Sequence, residues 1–192
     1  QADTLAGGGG NDRYYLYHAS DRVTEATSGG TDTIYAYANH TLASGSAVET
    51  LYAMGTAGRA LTGNALANTI RGGAYADTLA GGGGTDKLFG GGGADRFVFR
   101  TPPDSAVGTT RDVIGDFTPG QDRIDLSALD ANLTLSGNQA FLFKTGPAAN
   151  SLWLTKSGSV LIVHLDLTGD ARADMEIGLT GLTTAAKTDF LL

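Results

Sequence analysis

The chain has 192 residues, no cysteine and a formal net charge of −7. A disulfide scaffold and a thiolate metal site are therefore excluded, and nucleic acid is a poor partner because phosphate binding needs a basic stripe. Glycine supplies 29 residues without a Gly-X-Y period, which excludes collagen, and only 4 prolines exclude a Pro-rich linker.

The opening segment has neither the charged nor the apolar region of a secretory signal peptide. It starts inside a repeat, so the chain reads as a fragment with sequence upstream. Half a unit, Asp3 and Leu5, precedes a complete glycine-rich unit of Gly7, Gly8, Gly10, Asp12 and Tyr14. Decayed units follow. "GGTDTIY" keeps Gly29, Gly30, Asp32 and Ile34, "VETLY" keeps Glu49 and Leu51, and Leu61 stands nine before Ile70. Residues 1–62 are expected to form early, irregular coils.

Residues 63–100 carry four tandem nonapeptides beginning at Gly63, Gly72, Gly81 and Gly90. Their sixth positions are Asn68, Asp77, Asp86 and Asp95, and their eighth are Ile70, Leu79, Leu88 and Phe97. Fixed periods of this kind indicate a solenoid. Two units depart from the pattern: Tyr75 replaces the fourth-position glycine of one, and "GNALANTIR" carries Leu66 and the neutral Asn68. A site using that last loop is expected to be weaker or empty.

Residues 101–192 change texture. "TPPDSAVGTT" reads as a turn-rich linker, and "DVIGDFTPGQDRIDLS" contains a Pro-Gly turn. Extended segments are expected at "NLTLS", "AFLFK", "SLWLT", "SVLIVHLDL" and "MEIGL", with a hairpin turn at Lys156 to Ser159. No long amphipathic pattern occurs, and no run of 18 apolar residues. The fold class expected is all-β: a parallel β-roll followed by a C-terminal antiparallel β cap.

The repeat has a chemical logic. Glycine permits positive φ, so the loop turns tightly and aims carbonyl oxygens inward. The Asp adds a charged oxygen, and the last three residues run as a short strand with the apolar side chain facing the core. Two units make one turn of eighteen residues, which stacks Asp77 on Asp95 and Asn68 on Asp86. Stacked like charges repel, and a divalent cation between loops removes the conflict. Oxygen-only ligands including carbonyls suit the flexible shell of Ca²⁺ better than the strict octahedron of Mg²⁺.

Several Ca²⁺ ions are thus expected, with Asp3, Gly7, Gly8, Gly10 and Asp12 serving the first loops. Asn68 and the set Gly72, Gly73, Tyr75 and Asp77 come next. Gly81, Gly82, Gly84 and Asp86, then Gly90, Gly91, Gly93 and Asp95, complete the tandem units. Asp112, Asp116, Asp122 and Asp125 are candidates for a capping site. A phosphate loop is excluded because no GK[ST] follows the glycines.

Residues 63–97 and 7–15 resemble the RTX nonapeptide repeat. "ADRFVFR", "DVIGDFTPGQDRIDLS", "LDLTGDARADMEIGLTG" and "TDFLL" extend the resemblance to the C-terminal module of serralysin-type metalloproteases and related exoproteins. The resemblance implies a parallel β-roll holding Ca²⁺ between turns. It also implies an uncleaved type I secretion signal at Asp189-Phe190-Leu191-Leu192, hence the type I machinery as partner and an extracellular location. The chain would stay unfolded in low cytosolic calcium and fold outside.

The chain is expected to be non-catalytic. It has no HExxH, and His18, His40 and His164 lack metal-ligand spacing. His164 with Asp166 lacks a nucleophile, and Asp166, Asp170 and Asp174 make an incomplete EF-hand pattern with Ala171 at the glycine position. A second reading is a Ca²⁺-dependent polysaccharide-binding module. It would use the aromatic segments "RYYLYH" and "IYAYANH" with Arg59, Arg71, Lys87 and Arg96.

Overall fold

The computed structural model describes residues 2–192. Each nonapeptide ends in a three-residue strand whose central side chain points inward, as alternation along a strand requires. Successive strands fall on opposite faces of a flattened coil. One face receives β2 (Arg13–Leu16), β4 (Thr33–Ala36), β6 (Thr50–Ala53), β8 (Thr69–Arg71), β10 (Lys87–Phe89) and β12 (Asp112–Ile114). The other receives β1 (Thr4–Leu5), β3 (Arg22–Val23), β5 (His40–Thr41), β7 (Ala60–Thr62), β9 (Thr78–Ala80), β11 (Arg96–Val98) and β13 (Arg123–Asp125).

Pairing within each face is parallel. Leu88 stands opposite Ile70 and Phe97 opposite Leu79, eighteen residues on. The decayed units keep the same architecture, with Tyr14 opposite Ile34 and Ile34 opposite Leu51. The inward residues stack as two ladders. Ile34, Leu51, Ile70, Leu88 and Ile114 form one, and Leu61, Leu79, Phe97 and Ile124 the other, all with 0% exposure. Each such side chain contributes about 1.5–3 kcal/mol relative to exposure. His40 takes a place in the second ladder, where burial pushes its pKa down and keeps the imidazole neutral.

The coil does not stop at Arg100. Residues 101–111 bulge out with two short 3-10 turns, Pro102–Asp104 and Gly108–Thr110, and the chain then rejoins both sheets. Lys87 pairs with Val113, and Phe97 pairs with Ile124. Beyond lie β14 (Leu142–Phe143), β15 (Ser151–Ser157), β16 (Val160–Leu165), β17 (Met175–Thr180) and β18 (Phe190–Leu191). β15, β16 and β17 form an antiparallel meander, with the turn at Gly158 in the left-handed region at φ 60°. β17 joins β12 in parallel, so the meander extends one sheet of the coil to ten strands. β18 joins β13 in parallel, which makes a six-stranded sheet from β18 to β5 on the other face, with β1 and β3 paired as a separate two-stranded sheet.

Two extended segments turn out otherwise. "NLTLS" is a turn: Asn132 Oδ1 accepts the Thr134 N–H at 3.1 Å and its hydroxyl at 2.6 Å, leaving Leu133 and Leu135 exposed. "AFLFK" keeps only the two residues of β14. Among the described residues, no helix is long and apolar enough to cross a membrane.

Candidate metal centre

The loops between strands stack into two columns along opposite edges of the coil. One column carries Asp12, Asp32, Glu49, Asn68 and Asp86 at the position preceding the strand, and Asp112 at the first residue of β12. The other carries Asp77, Asp95 and Asp122, with Asp3 and Asp21 at its start. From the second coil onward, each column carboxylate accepts a backbone N–H of the preceding coil with one oxygen. Asp86 Oδ1 accepts the Asn68 N–H at 2.7 Å, and Asp112 Oδ1 accepts the Asp86 N–H at 2.7 Å. Asp95 Oδ1 accepts the Asp77 N–H at 2.8 Å, and Asp122 Oδ1 accepts the Asp95 N–H at 3.0 Å. Asp32, Glu49 and Asp21 make the same inter-coil bond earlier in the chain.

The second oxygen is the informative one. Seven buried side-chain polar atoms among the described residues lack a hydrogen-bond partner, and five are Oδ2 atoms of Asp12, Asp32, Asp86, Asp95 and Asp112. All five stand in the columns. A buried, unpaired carboxylate oxygen is costly. Burial accordingly pushes the pKa of Asp112 up to about 8, Asp86 to about 7 and Asp95 to about 6. Neighbouring carboxylates add to each shift: Asp86 and Asp104 for Asp112, Asp104 for Asp86, and Asp122, Asp77 and Asp116 for Asp95.

Glycine shapes the cups. A β-carbon on Gly7, Gly81 or Gly90 would overlap Oδ2 of Asp12, Asp86 or Asp95 respectively. In the same three units the second and fourth residues take positive φ: Gly8 and Gly10, Gly82 and Gly84, Gly91 and Gly93. The units at Gly63 and Gly72 differ. Neither Asn64 and Leu66 nor Gly73 and Tyr75 take positive φ, and Tyr75 is largely exposed. Asp77 Oδ2 is instead satisfied by the Gly73 N–H at 2.6 Å.

Asp116 sits over the cup at Gly90, accepting the N–H groups of Gly90 at 2.8 Å and Gly91 at 2.9 Å. Asp3 begins its column, with its N–H donated to Asp21 at 3.1 Å. Asp122 belongs to its column as fully as Asp95 does. Its signal was a separation of 27 residues from Asp95, three nonapeptide periods with the intervening pattern erased. Asp125 points elsewhere, to Arg96 and Ser127.

No three His, Asp or Glu side chains converge among the described residues. A cation in a column would therefore take one or two carboxylate oxygens and complete its shell with loop carbonyls, a donor set of hard oxygens that Ca²⁺ accepts. The unpartnered Oδ2 atoms fit such an ion.

The remaining candidates have partners within the fold. His164 Nδ1 lies 3.0 Å from Glu176 and its Nε2 2.7 Å from Thr155 Oγ1, while its ring stacks on Trp153. Asp166 accepts four backbone N–H groups, from Asn150, Thr168, Gly169 and Ala171, which explains the EF-hand-like run as a hydrogen-bonded turn. Tyr15, Tyr35 and Tyr52 stack face to face at 5.0 and 5.3 Å, and the Arg71 guanidinium lies 3.9 Å from the centre of the Phe89 ring.

Residues 6–192 match the family described as peptidase M10 serralysin C terminal. The metalloprotease AprA of Pseudomonas entomophila (strain L48) is 42% identical over 192 residues, covering 96% of this chain and 38% of AprA. The chain thus spans less than half the length of that relative. The solution structure of the AlgE6R2 subunit from the Azotobacter vinelandii mannuronan C5-epimerase aligns over 100% of this chain and 92% of its own, with 24% identity and a TM-score of 0.46. The AlgE6R3 subunit of the same enzyme aligns over 72% and 80%, with 28% identity and a TM-score of 0.43. On the family match and the AprA relationship, this chain belongs to the serralysin M10 C-terminal family, the non-catalytic part of these proteases.

Proposed function

We propose that the chain is a calcium-dependent folding and export module, which folds outside the cell when Ca²⁺ binds its two loop columns and which carries a type I secretion signal at its C-terminus. The observation that carries the reading is the set of five buried Oδ2 atoms without partners, all in the columns and three of them beside glycines that leave them room. Asp12, Asp86, Asp95 and Asp112 would hold the ions with loop carbonyls, and Asp32 and Asp116 would complete neighbouring shells. Bound Ca²⁺ supplies positive charge that cancels the carboxylate repulsion between coils. Because the columns exist only when coils stack, binding free energy becomes folding free energy.

The C-terminal motif is part of the folded sheet. Asp189 is buried and accepts the N–H groups of Gly120 at 2.9 Å and Ala186 at 2.7 Å, and Phe190 packs against Phe143. Export machinery reading this motif would have to meet the chain before it folds, which is consistent with folding held back by low cytosolic calcium. The polysaccharide reading draws less support, because the tyrosine ring faces that would stack on sugars are turned toward one another.

Co-expression with a type I exporter tests the export half. The full chain is expected in the medium, and a chain lacking residues 189–192 is expected to remain in the cells. Equal export of both would overturn the signal assignment.

A further inference from the structure

The column that carries Asn68 is not uniform. Asn68 Nδ2 donates to the Val48 carbonyl at 2.8 Å, and Asn68 Oδ1 accepts the Asn64 N–H at 3.0 Å. Asn64 Nδ2 donates to two more carbonyls, Ala43 at 3.0 Å and Ser46 at 2.8 Å. Its Oδ1 accepts the Leu66 N–H at 3.0 Å. Both asparagines are buried. Three carbonyl oxygens of the 43–48 loop therefore converge on amide hydrogens from the next coil. Along the same column the nearest unpartnered carboxylate oxygens are that of Asp86 in the next coil and that of Asp32 two coils back, beyond Glu49. The 63–68 loop also lacks the two positive-φ positions of the glycine cups.

We propose that Asn64 and Asn68 form a metal-free clamp. Their side-chain amides do between the 43–48 and 63–68 loops what a divalent cation does elsewhere in the column, so the coils across residues 42–71 stay paired when calcium is withdrawn. The inference rests on the calcium reading of the columns. Its chemical basis is simple. Carbonyls and a carboxylate are all acceptors and need a cation between them, whereas a primary amide brings two donors and one acceptor and needs none. Loss of glycine at Asn64 and of charge at Asn68 is then one coordinated substitution. Repeat proteins fold by propagation from an already stacked neighbour. The clamped coils would be the seed on which the cups at Gly81 and Gly90 close when metal arrives.

Hydrogen exchange read by mass spectrometry on the whole chain tests this. The reporting amides are Leu42 and Thr69, bonded to Thr62 and Glu49, against Lys87 and Arg96, bonded to Asn68 and Asp77. In chelator, Leu42 and Thr69 are expected to exchange at least about tenfold more slowly than Lys87 and Arg96, and in calcium all four should be slow. Asn68→Asp should abolish the protection of Thr69 in chelator and regain it in calcium, a new calcium dependence that simple misfolding would not produce. Asn64→Ala, which adds no charge, should lose the same protection in chelator. Equal fast exchange of all four amides in chelator, or wild-type protection in both variants, would overturn the clamp. Equal slow exchange of all four with and without calcium would overturn the calcium reading itself.

Discussion

With calcium chelated, the folded chain is expected to gain stability as the pH is lowered from about 9 to about 5, so that acid partly replaces the metal. Asp112, Asp86 and Asp95 have pKa values raised by burial to about 8, 7 and 6 from 3.8. Between those values and 3.8 the native state keeps a proton that the unfolded chain has released. Stability therefore falls as pH rises through this window. The penalty is absent below the unfolded value and complete above the folded one. All three groups act in the same direction, so their penalties at neutral pH add rather than cancel.

Asp166 works in the opposite sense. Burial pushes its pKa up, but the backbone N–H groups of Ala171, Gly169, Asn150 and Thr168 outweigh that and bring it below 3.8. Its contribution is present above the unfolded value and lost only as pH falls through the lower folded one, which sets the acid limit of the window. Urea midpoints in chelator at three pH values across the window would measure the slope. A flat profile, or a slope of the opposite sign, would contradict the account. Saturating calcium should flatten the dependence, because the bound ion holds the column carboxylates deprotonated.

Phe97→Ala is expected to cost about 3–5 kcal/mol even with calcium saturating, as for other buried Phe→Ala cavities. Phe97 has no exposed surface, lies between Leu79 and Ile124 in the ladder, and has Phe117 at a ring distance of 6.1 Å. The parallel backbone on either side limits collapse into the space. For a chain of this size the melting temperature should drop by about 6–20 °C. Tyr75→Ala, at an exposed loop position, should change stability by no more than about 0.5 kcal/mol. If the two variants melt together, the ladder does not hold the coils as described.

The ladder was legible because a period of nine fixes which residues return to the same place. Ile70, Leu79, Leu88 and Phe97 could be placed inside before any coordinates, as could the stacking of Asp77 on Asp95. The decayed units were legible for the same reason, since Ile34 and Leu51 kept their distance from an acidic residue two positions earlier. What was not legible depended on side-chain hydrogen bonds to the backbone and on partners distant in sequence. Residues 132–136 alternate like a strand, but the Asn132 side chain captures the Thr134 backbone and turns the chain. The insertion at 101–111 breaks the period, so nothing local announced that Val113 and Ile124 rejoin the sheets. Asn64 occupies the second position of its unit, where the other units carry glycine, apart from the decayed ones. Its two hydrogen bonds to a loop some 20 residues earlier, 18 to Ser46 and 21 to Ala43, are a property of the folded coil alone.

The central claim is that the two carboxylate columns make folding depend on calcium. Far-UV circular dichroism during a calcium titration, with magnesium and chelator controls, tests it most directly. The account predicts a cooperative gain of β signal with Ca²⁺, reversed by chelator and not produced by Mg²⁺, starting from a partly structured baseline that the clamped coils supply. A chain fully folded in chelator, whose spectrum and melting temperature do not change when calcium is added, would contradict it.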